Sequence, residues 1–237
     1  MALTDKLSAI GDAIREKTGK EELLTLDQMP TEIASIETGG GSADHSAEDG
    51  LITRTVTEYF NDRVTNIGAH AFYYNTIIEK VSFPNVTEVG GNVFNGCTAL
   101  KNIEFPKLEK ATAGNVFKAC SALEEARFPA YGYEGMPSFN GCTKLSLVEV
   151  GNLGSISNGT FNACSALKTL IIRKTDKVAL LVNVGAFSNT PFASDGSGGS
   201  VYVPQALVES YKTATNWSTL YTAGTCNFVA IEGSIYE

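Results

Sequence analysis

The sequence predicts an α/β repeat solenoid in which short parallel strands from successive repeats stack on one another. One phenylalanine recurs every 22 or 23 positions through five copies, and a sixth follows 26 positions later. Cysteine, leucine and apolar strand positions keep the same step. A single copy cannot fold alone, because burying its few apolar side chains does not offset the conformational entropy lost when its backbone becomes ordered. The copies must therefore stack. The anchor phenylalanines are Phe72, Phe94, Phe117, Phe139, Phe161 and Phe187.

Each repeat contains a short alternating segment that predicts a strand with one buried face. The segments read KVSFP, NIEFP, EARFP, LVEVG and TLIIR. In the first segment Val81 and Phe83 point one way and Lys80 points the other. Because parallel strands lie about 4.8 Å apart, residues at equivalent positions of successive repeats should form columns.

The turn that joins these strands carries the pattern Phe-x-x-Cys-x-x-Leu, which suits a single helical or 3₁₀ turn. Asn-Gly pairs at 95–96, 140–141 and 158–159 predict tight turns. The cysteines are too far apart in sequence for a metal knuckle. One small apolar residue per repeat favours buried free thiols over disulfides, and no cofactor or metal is expected. The cysteines are Cys97, Cys120, Cys142, Cys164 and Cys226.

The segments before and after the repeats are predicted to cover the two ends of the solenoid, which spans residues 51–203. Residues 51–60 form an entering strand, and the tip 195–200 of an insertion is expected to be a mobile loop. Residues 204–237 form a C-terminal cap in which Pro204 opens a short helix, with Leu207, Val208 and Tyr211 against the last repeat. Trp217 should cover its edge, because an open parallel edge invites pairing with other chains.

The N-terminal residues 1–38 predict two short helices joined to the solenoid by a flexible linker at 39–50. Each helix has one apolar stripe, and two helices of this size bury too little surface to form a core of their own. We therefore expect these stripes to bind a second copy of the chain or another protein. The stripe residues are Leu3, Leu7, Ile10, Ile14, Met29, Ile33 and Ile36.

The repeats resemble a known family. The pattern I-G-x-x-A-F-x-x-C-x-x-L-x-x-I-x-F-P, matched by Ile67-Gly68, Ala71-Phe72 and Phe94 to Pro106, is similar to the BspA-type leucine-rich repeat of bacteria. The resemblance covers residues 52 to about 203, and the segment 201–220 resembles the closing repeat of that family. It implies a binding solenoid and, for the whole protein, a cell-surface adhesin that binds host proteins.

The N-terminal segment carries a second resemblance. The pattern L-x-x-I-x-x-A-I-R-x-K-T-G followed by L-T-L-D-Q-M-P-x-x-I is similar to segments that open tail and other virion-associated proteins of phages infecting gut Firmicutes. It implies that residues 1–38 attach the chain to other virion proteins or to itself, with the solenoid as the distal recognition domain. The protein would then be made in the bacterial cytoplasm and carried in the virion.

Two sets of side chains are candidates for the binding surface. Exposed aromatic residues are favoured at interfaces, although such tyrosines also pack on neighbouring repeats. Charges of alternating sign share one outward strand column, where a surface charge ladder is the alternative interpretation. The tyrosines are Tyr73, Tyr74, Tyr131 and Tyr133, and the charged residues are Glu104, Arg127 and Glu149.

Composition excludes several other functions. The net charge of −8 without a basic run argues against nucleic acid, and no uninterrupted apolar run of transmembrane length occurs. His45 and His70 have no nucleophile nearby in sequence, so no enzyme is predicted. We expect a phage virion protein that binds a protein or glycan on the bacterial surface. The alternative is an adhesin on the cell surface, which the missing secretion signal disfavours.

Overall fold

The computed structural model describes residues 56–112, 114–193 and 195–237. The predicted helical module at 1–38 and the predicted linker at 39–50 lie outside these residues. The strands, in chain order, are β1 (Glu58–Phe60), β2 (Asn66–Ile67), β3 (Lys80–Ser82), β4 (Glu88–Val89), β5 (Asn102–Glu104), β6 (Lys110–Ala111), β7 (Glu125–Phe128), β8 (Leu147–Val150), β9 (Ser155–Ile156), β10 (Thr169–Ile172), β11 (Leu180–Leu181), β12 (Gly199–Val203) and β13 (Cys226–Ala230).

Every described strand pairing is parallel, which confirms the predicted solenoid. The main side of the coil carries β1-β3-β5 and, as a separate sheet, β7-β8-β10-β12-β13. A second side carries the two-residue strands of β2-β4-β6 and of β9-β11. The register aligns equivalent positions, with Tyr59 opposite Val81 and Val81 opposite Ile103. Each repeat therefore lies directly on the one before it.

The anchor phenylalanines form one continuous column of stacked rings, as predicted. Neighbouring ring centroids lie 4.9 Å apart for Phe72 and Phe94, 5.6 Å for Phe94 and Phe117, and 5.2 Å for Phe117 and Phe139. The column continues through Phe161 to Phe187, and all six side chains are buried. Backbone hydrogen bonds run beside it, since each of the first five anchor N–H groups donates to a carbonyl of the next repeat.

The cysteine column is a second buried column with a role of its own. The Cys97 Sγ donates to the Phe72 carbonyl at 3.0 Å, and the Cys120 Sγ donates to the Phe94 carbonyl at 3.0 Å. Cys142 and Cys164 repeat this bond to the anchors one repeat earlier. All five thiols are buried, as predicted, and desolvation raises the pKa of Cys97 to about 12. A neutral thiol keeps the proton that this bond requires.

The turn after each anchor is shorter than a helix. The Cys97 N–H donates to the Phe94 carbonyl at 3.1 Å, an i to i+3 bond that closes a β-turn. The residue two positions after each anchor lies inside this turn and has a left-handed backbone, so the prediction of a helical or 3₁₀ turn was wrong. These residues are Tyr74 (φ 53°), Gly96 (79°), Ala119 (59°), Gly141 (81°), Ala163 (61°) and Asn189 (56°).

This left-handed column leads to a prediction about stability. Gly141→Ala should lower the free energy of unfolding by about 1 kcal/mol, since the strain of a left-handed L-residue is partly offset by reduced chain entropy. The added methyl itself would fit, at 3.5 Å from the Ala119 Cα. The reciprocal change Ala119→Gly should raise stability by up to about 1 kcal/mol. Urea unfolding measures both, and a less stable Ala119→Gly protein would contradict the argument.

The C-terminal residues form helices that lie between two strands. Helices α1 (Val208–Thr213) and α2 (Trp217–Thr222) follow β12, and Tyr211 and Trp217 are buried as predicted. The Trp217 Nε1 donates to the Ala179 carbonyl at 2.8 Å. The sheet does not end at the helices, because β13 adds a further parallel strand to β12. The prediction of a mobile loop through residue 200 was wrong for Gly199 and Ser200, which belong to β12.

The last residues cross the outer face of the main sheet. Ile231 packs on Leu147 and Ile171, two outward residues that it helps to bury. The Tyr236 ring makes an edge-to-face contact with Tyr202 at 4.6 Å, and the Arg173 Nη2 donates to the Tyr236 carbonyl at 2.8 Å. The outer face is therefore covered over β8, β10 and β12, and it remains accessible over the earlier strands.

Candidate binding surfaces

The accessible part of the outer sheet face, which we call the open strand face, consists of the outward side chains of β1, β3, β5 and β7. Phe60 is 65% exposed on β1. The Lys80 Nζ lies 3.3 Å from the Glu104 Oε1, and the Ser82 hydroxyl together with Lys80 lowers the pKa of Glu104. The Arg127 Nε lies 3.0 Å from the Glu125 Oε2. The face thus combines exposed ion pairs with one exposed aromatic ring.

A shallow depression interrupts the open strand face. Strands β5 and β7 belong to separate sheets, and Ile103 is only half-buried between them. The depression has a volume of about 360 Å³ and is lined mainly by polar and charged side chains. This is the point at which one anchor spacing is 23 rather than 22 residues. The lining residues are Lys80, Asn102, Ile103, Glu104, Glu125 and Arg127.

Glu149 was predicted on the binding surface, and this prediction was wrong. The residue is only 6% exposed. Its Oε2 lies 2.9 Å from the Arg127 Nη1, and its Oε1 lies 2.7 Å from the Arg173 Nε. Two guanidinium groups neutralise the carboxylate, and the segment 231–237 covers the strand beside it. Glu149 therefore holds the outer face together instead of contacting a ligand.

Tyr131 is a second correction among the predicted contacts. Its side chain is completely buried, and its hydroxyl donates to the Gly135 carbonyl. Desolvation raises the pKa of Tyr131 above its usual range. The hydroxyl reaches a backbone acceptor, so the ring can enter the core without leaving a polar atom unpaired. Packing on neighbouring repeats is thus the correct interpretation for Tyr131, whereas Tyr133 is 41% exposed.

The remaining predicted tyrosines belong to a cluster that we call the turn rim, formed by His70, Tyr73, Tyr74, Asn92 and Asn95. Tyr74 is 59% exposed and Tyr73 is 39% exposed. Their ring centroids lie 4.6 Å apart with an interplanar angle of 79°, and the His70 ring lies 5.2 Å from Tyr73. Edge-to-face contacts of this kind fix the mutual orientation of the rings.

Amide groups of the next repeat complete the turn rim. The Asn92 Nδ2 lies 3.3 Å from the His70 Nε2, and the Asn95 Nδ2 donates to the Asn92 Oδ1 at 3.1 Å. The Tyr74 N–H donates to the Asn95 carbonyl at 2.9 Å. Neither asparagine was predicted as a site residue, and Asn95 was predicted only as part of the tight turn at 95–96. Their positions, two residues before and one after the anchor Phe94, were the remaining signal.

A family profile described as the BspA type leucine rich repeat region matches six copies over residues 65–193 of this chain. The chain belongs to the BspA-type leucine-rich repeat family. The match spans more than half of the sequence and confirms the resemblance predicted for the repeats. It begins at residue 65, so the similarity of the N-terminal segment to phage tail proteins stays a prediction.

Several solved structures are similar to this BspA-type chain. A leucine rich repeat protein of T. pallidum shares 21% identity with a TM-score of 0.43, covering 70% of this chain and 80% of that chain. A leucine rich cell surface protein of Faecalibacterium prausnitzii shares 18% identity with a TM-score of 0.41, covering 65% and 56%. The pneumococcal vaccine antigen PcpA shares 13% identity with a TM-score of 0.39, covering 74% and 41%. No curated protein matches the sequence.

The apolar columns of this BspA-type solenoid are buried, and the open strand face and the turn rim are its candidate ligand-binding surfaces. Within the described ranges, no helix has the length and apolar character needed to cross a bilayer. Across the same residues, no three His, Cys, Asp or Glu side chains gather into a possible metal site. The two surfaces carry aromatic, amide and paired charged groups, which suit binding.

Proposed function

We propose that this BspA-type solenoid is a non-enzymatic recognition protein whose turn rim binds a ligand on a bacterial surface. The exposed, orientationally fixed pair Tyr73 and Tyr74 carries this proposal. A tyrosine that is already ordered before binding loses little conformational entropy when it is covered, so it contributes strongly to affinity. The repeats behind the pair supply a rigid support through the stacked column that begins at Phe72.

The environment of the titratable side chains supports recognition over catalysis. The five thiols are buried, and desolvation raises the pKa of Cys226 to about 12, which suppresses the reactive thiolate. Glu149 is neutralised by two arginines. His70 contacts the Tyr73 ring and the Asn92 amide, neither of which is an activated nucleophile.

Two biological settings fit a recognition protein of this family. The first is a phage virion, supported by the similarity of residues 1–38 to the opening segments of phage tail proteins. Those residues would bind other virion proteins or a second copy, and the solenoid would contact the bacterium. The second is a bacterial cell-surface adhesin that binds host proteins, which the BspA-type family suggests.

A cell-binding assay tests the proposal. The full chain, labelled with a fluorophore, is incubated with a panel of bacteria and with epithelial cells, and bound protein is measured by flow cytometry. Combined Tyr73→Ala and Tyr74→Gly changes should lower binding to bacteria at least about 10-fold, as expected for interface aromatics. Tyr133→Ala is the matched control, because its exposure resembles that of Tyr73.

Each result of this assay has a distinct meaning. Unchanged binding by the double variant would remove the turn rim as the contact surface. An equal loss with Tyr133→Ala would show that the contact is not confined to the rim. Binding to epithelial cells without binding to any bacterium would argue against a phage virion protein and favour a bacterial adhesin that binds host proteins.

A further inference from the structure

We propose that the ligand of the turn rim is a glycan whose sugar ring stacks on Tyr74 while its hydroxyl groups bond to the adjacent amides. The inference deepens the proposed function and rests on it. It is carried by backbone strain, by the exposed face of a fixed ring and by the uncharged hydrogen-bonding groups around that ring.

The first support is the backbone conformation of Tyr74. Its φ of 53° belongs to the left-handed column of the fold, in which the other positions carry small or short residues: Gly96, Ala119, Gly141, Ala163 and Asn189. The φ of 66° at His70 is a regular feature of the fold, since Asn92 and Asn115 at the equivalent position are also left-handed. Strain of this kind persists where surrounding structure imposes it, and it concentrates at ligand-contacting positions. Tyr74 is the one large side chain of this column within the described residues, so a bulky ring is kept there despite the strain.

The second support is the way in which the Tyr74 ring is held. A Cβ built on Gly96 would lie 2.8 Å from the Tyr74 Cδ1 and 3.0 Å from both Cγ and Cε1. Nearly equal distances to three neighbouring ring carbons place Gly96 beneath one face of the ring. Because Gly96 has no side chain, this face packs directly on the backbone, and Tyr73 contacts the ring edge to face. Tyr74 is still 59% exposed, which leaves a flat apolar surface for the C–H groups of a sugar.

The third support is the chemistry beside the ring. The side chains of His70, Asn92 and Asn95 are already linked to one another, so their donors and acceptors are held in place. An amide offers both a donor and an acceptor, which matches the dual character of sugar hydroxyl groups. The turn rim consists of phenol, imidazole and amide groups and contains no carboxylate, ammonium or guanidinium group. This composition favours a hydroxyl-rich, neutral ligand over a charged peptide.

The amide groups continue beyond the turn rim. The position after the anchor phenylalanine is Asn95 in the second repeat, Asn140 in the fourth and Asn162 in the fifth. The Asn162 Oδ1 accepts from the Asn189 Nδ2 at 3.0 Å, so the far end has the same kind of linked amide pair. Repeats stack at about 4.8 Å. An oligosaccharide lying along this edge can thus meet amide groups on the second, fourth and fifth repeats, with Lys118 at the same position of the third.

The experiment compares chemical treatments of the cells that bind the full chain. Periodate cleaves vicinal diols of glycans, whereas proteinase K removes surface proteins. We expect periodate to lower binding at least 10-fold and proteinase K to leave it within twofold. An immobilised panel of bacterial oligosaccharides serves as the direct probe, and at least one member should retain the wild-type chain but not the Tyr74→Gly chain. Tyr133→Ala should bind like the wild type in both assays.

The outcomes separate this inference from the proposed function. Binding that resists periodate and is lost after proteinase K would overturn the glycan and leave recognition of a protein ligand. No binding to any untreated cell would overturn the proposed function itself. Tyr74→Gly also has a stability readout, since glycine suits the left-handed conformation. Its melting temperature should equal or exceed that of the wild type, and a clear decrease would refute the strain argument.

Discussion

Replacing Phe117 by alanine should lower the free energy of unfolding by about 3–5 kcal/mol. The Phe117 side chain is completely buried in the middle of the column. Its ring centroid lies 5.6 Å from Phe94, 5.2 Å from Phe139 and 5.6 Å from Phe128, so three ring contacts are lost together. The backbone hydrogen bonds on both sides keep the repeats at their spacing, which prevents collapse around the cavity.

Phe60→Ala is the matched control for this prediction, because it deletes the same ring from a site that is 65% exposed. Its effect should stay within about 0.5 kcal/mol. Urea unfolding of the full chain, followed by circular dichroism and by Trp217 fluorescence, measures both variants. A loss below about 1 kcal/mol for Phe117→Ala would show that the column is not a continuous core.

Glu149→Ala should lower the free energy of unfolding by about 2–3 kcal/mol, the second largest effect that we expect. Removing this carboxylate leaves Arg127 and Arg173 without the partner that lies 2.9 and 2.7 Å from them. Both guanidinium groups keep some contact with water, so the loss should fall below that of a fully buried ion pair. Arg173 also donates to the Tyr236 carbonyl, and its reorientation should loosen the segment 231–237.

Glu104→Gln provides the comparison for Glu149. Its ion pair with Lys80, at 3.3 Å, is exposed on both sides, and the change should alter stability by at most about 0.5 kcal/mol. Hydrogen exchange of the amides in 231–237 measures the expected loosening of that segment. Faster exchange is expected in Glu149→Ala and not in Glu104→Gln. Equal effects of the two substitutions on stability would contradict the assignment of Glu149 to a structural role.

The buried columns could be predicted because packing alone determines them. Phe94, Cys97 and Leu100 recur at a constant step, and stacked strands place equal positions on top of one another. The thiol-to-carbonyl bonds were not predicted, since a spacing cannot show that Cys120 lies beside the Phe94 carbonyl. The added strand β13 was missed because its segment follows two helices and does not repeat the anchor pattern.

The candidate contacts were harder to predict, since exposure depends on segments that are distant in sequence. Strand alternation correctly pointed Glu149 outward, but Arg127 and Arg173 pair with it, and it is only 6% exposed. Tyr131 follows a strand-ending proline, and only the position of the Gly135 carbonyl shows that its ring turns inward. The sequence indicated the aromatic part of the turn rim but not the amide part.

The spacing of the apolar residues is enough to predict a stack of repeats, because one copy cannot fold alone and equivalent positions recur at a constant step. The BspA type was indicated by the resemblance of the repeat pattern to that family. Which outward positions remain accessible depends on the tertiary structure, because a surface position is exposed only if no other segment covers it. The tertiary structure also decided that His70, Tyr74 and Asn95 meet at one corner. Their meeting follows from the left-handed turn and the rise between repeats, which together bring residues about 20 positions apart into contact.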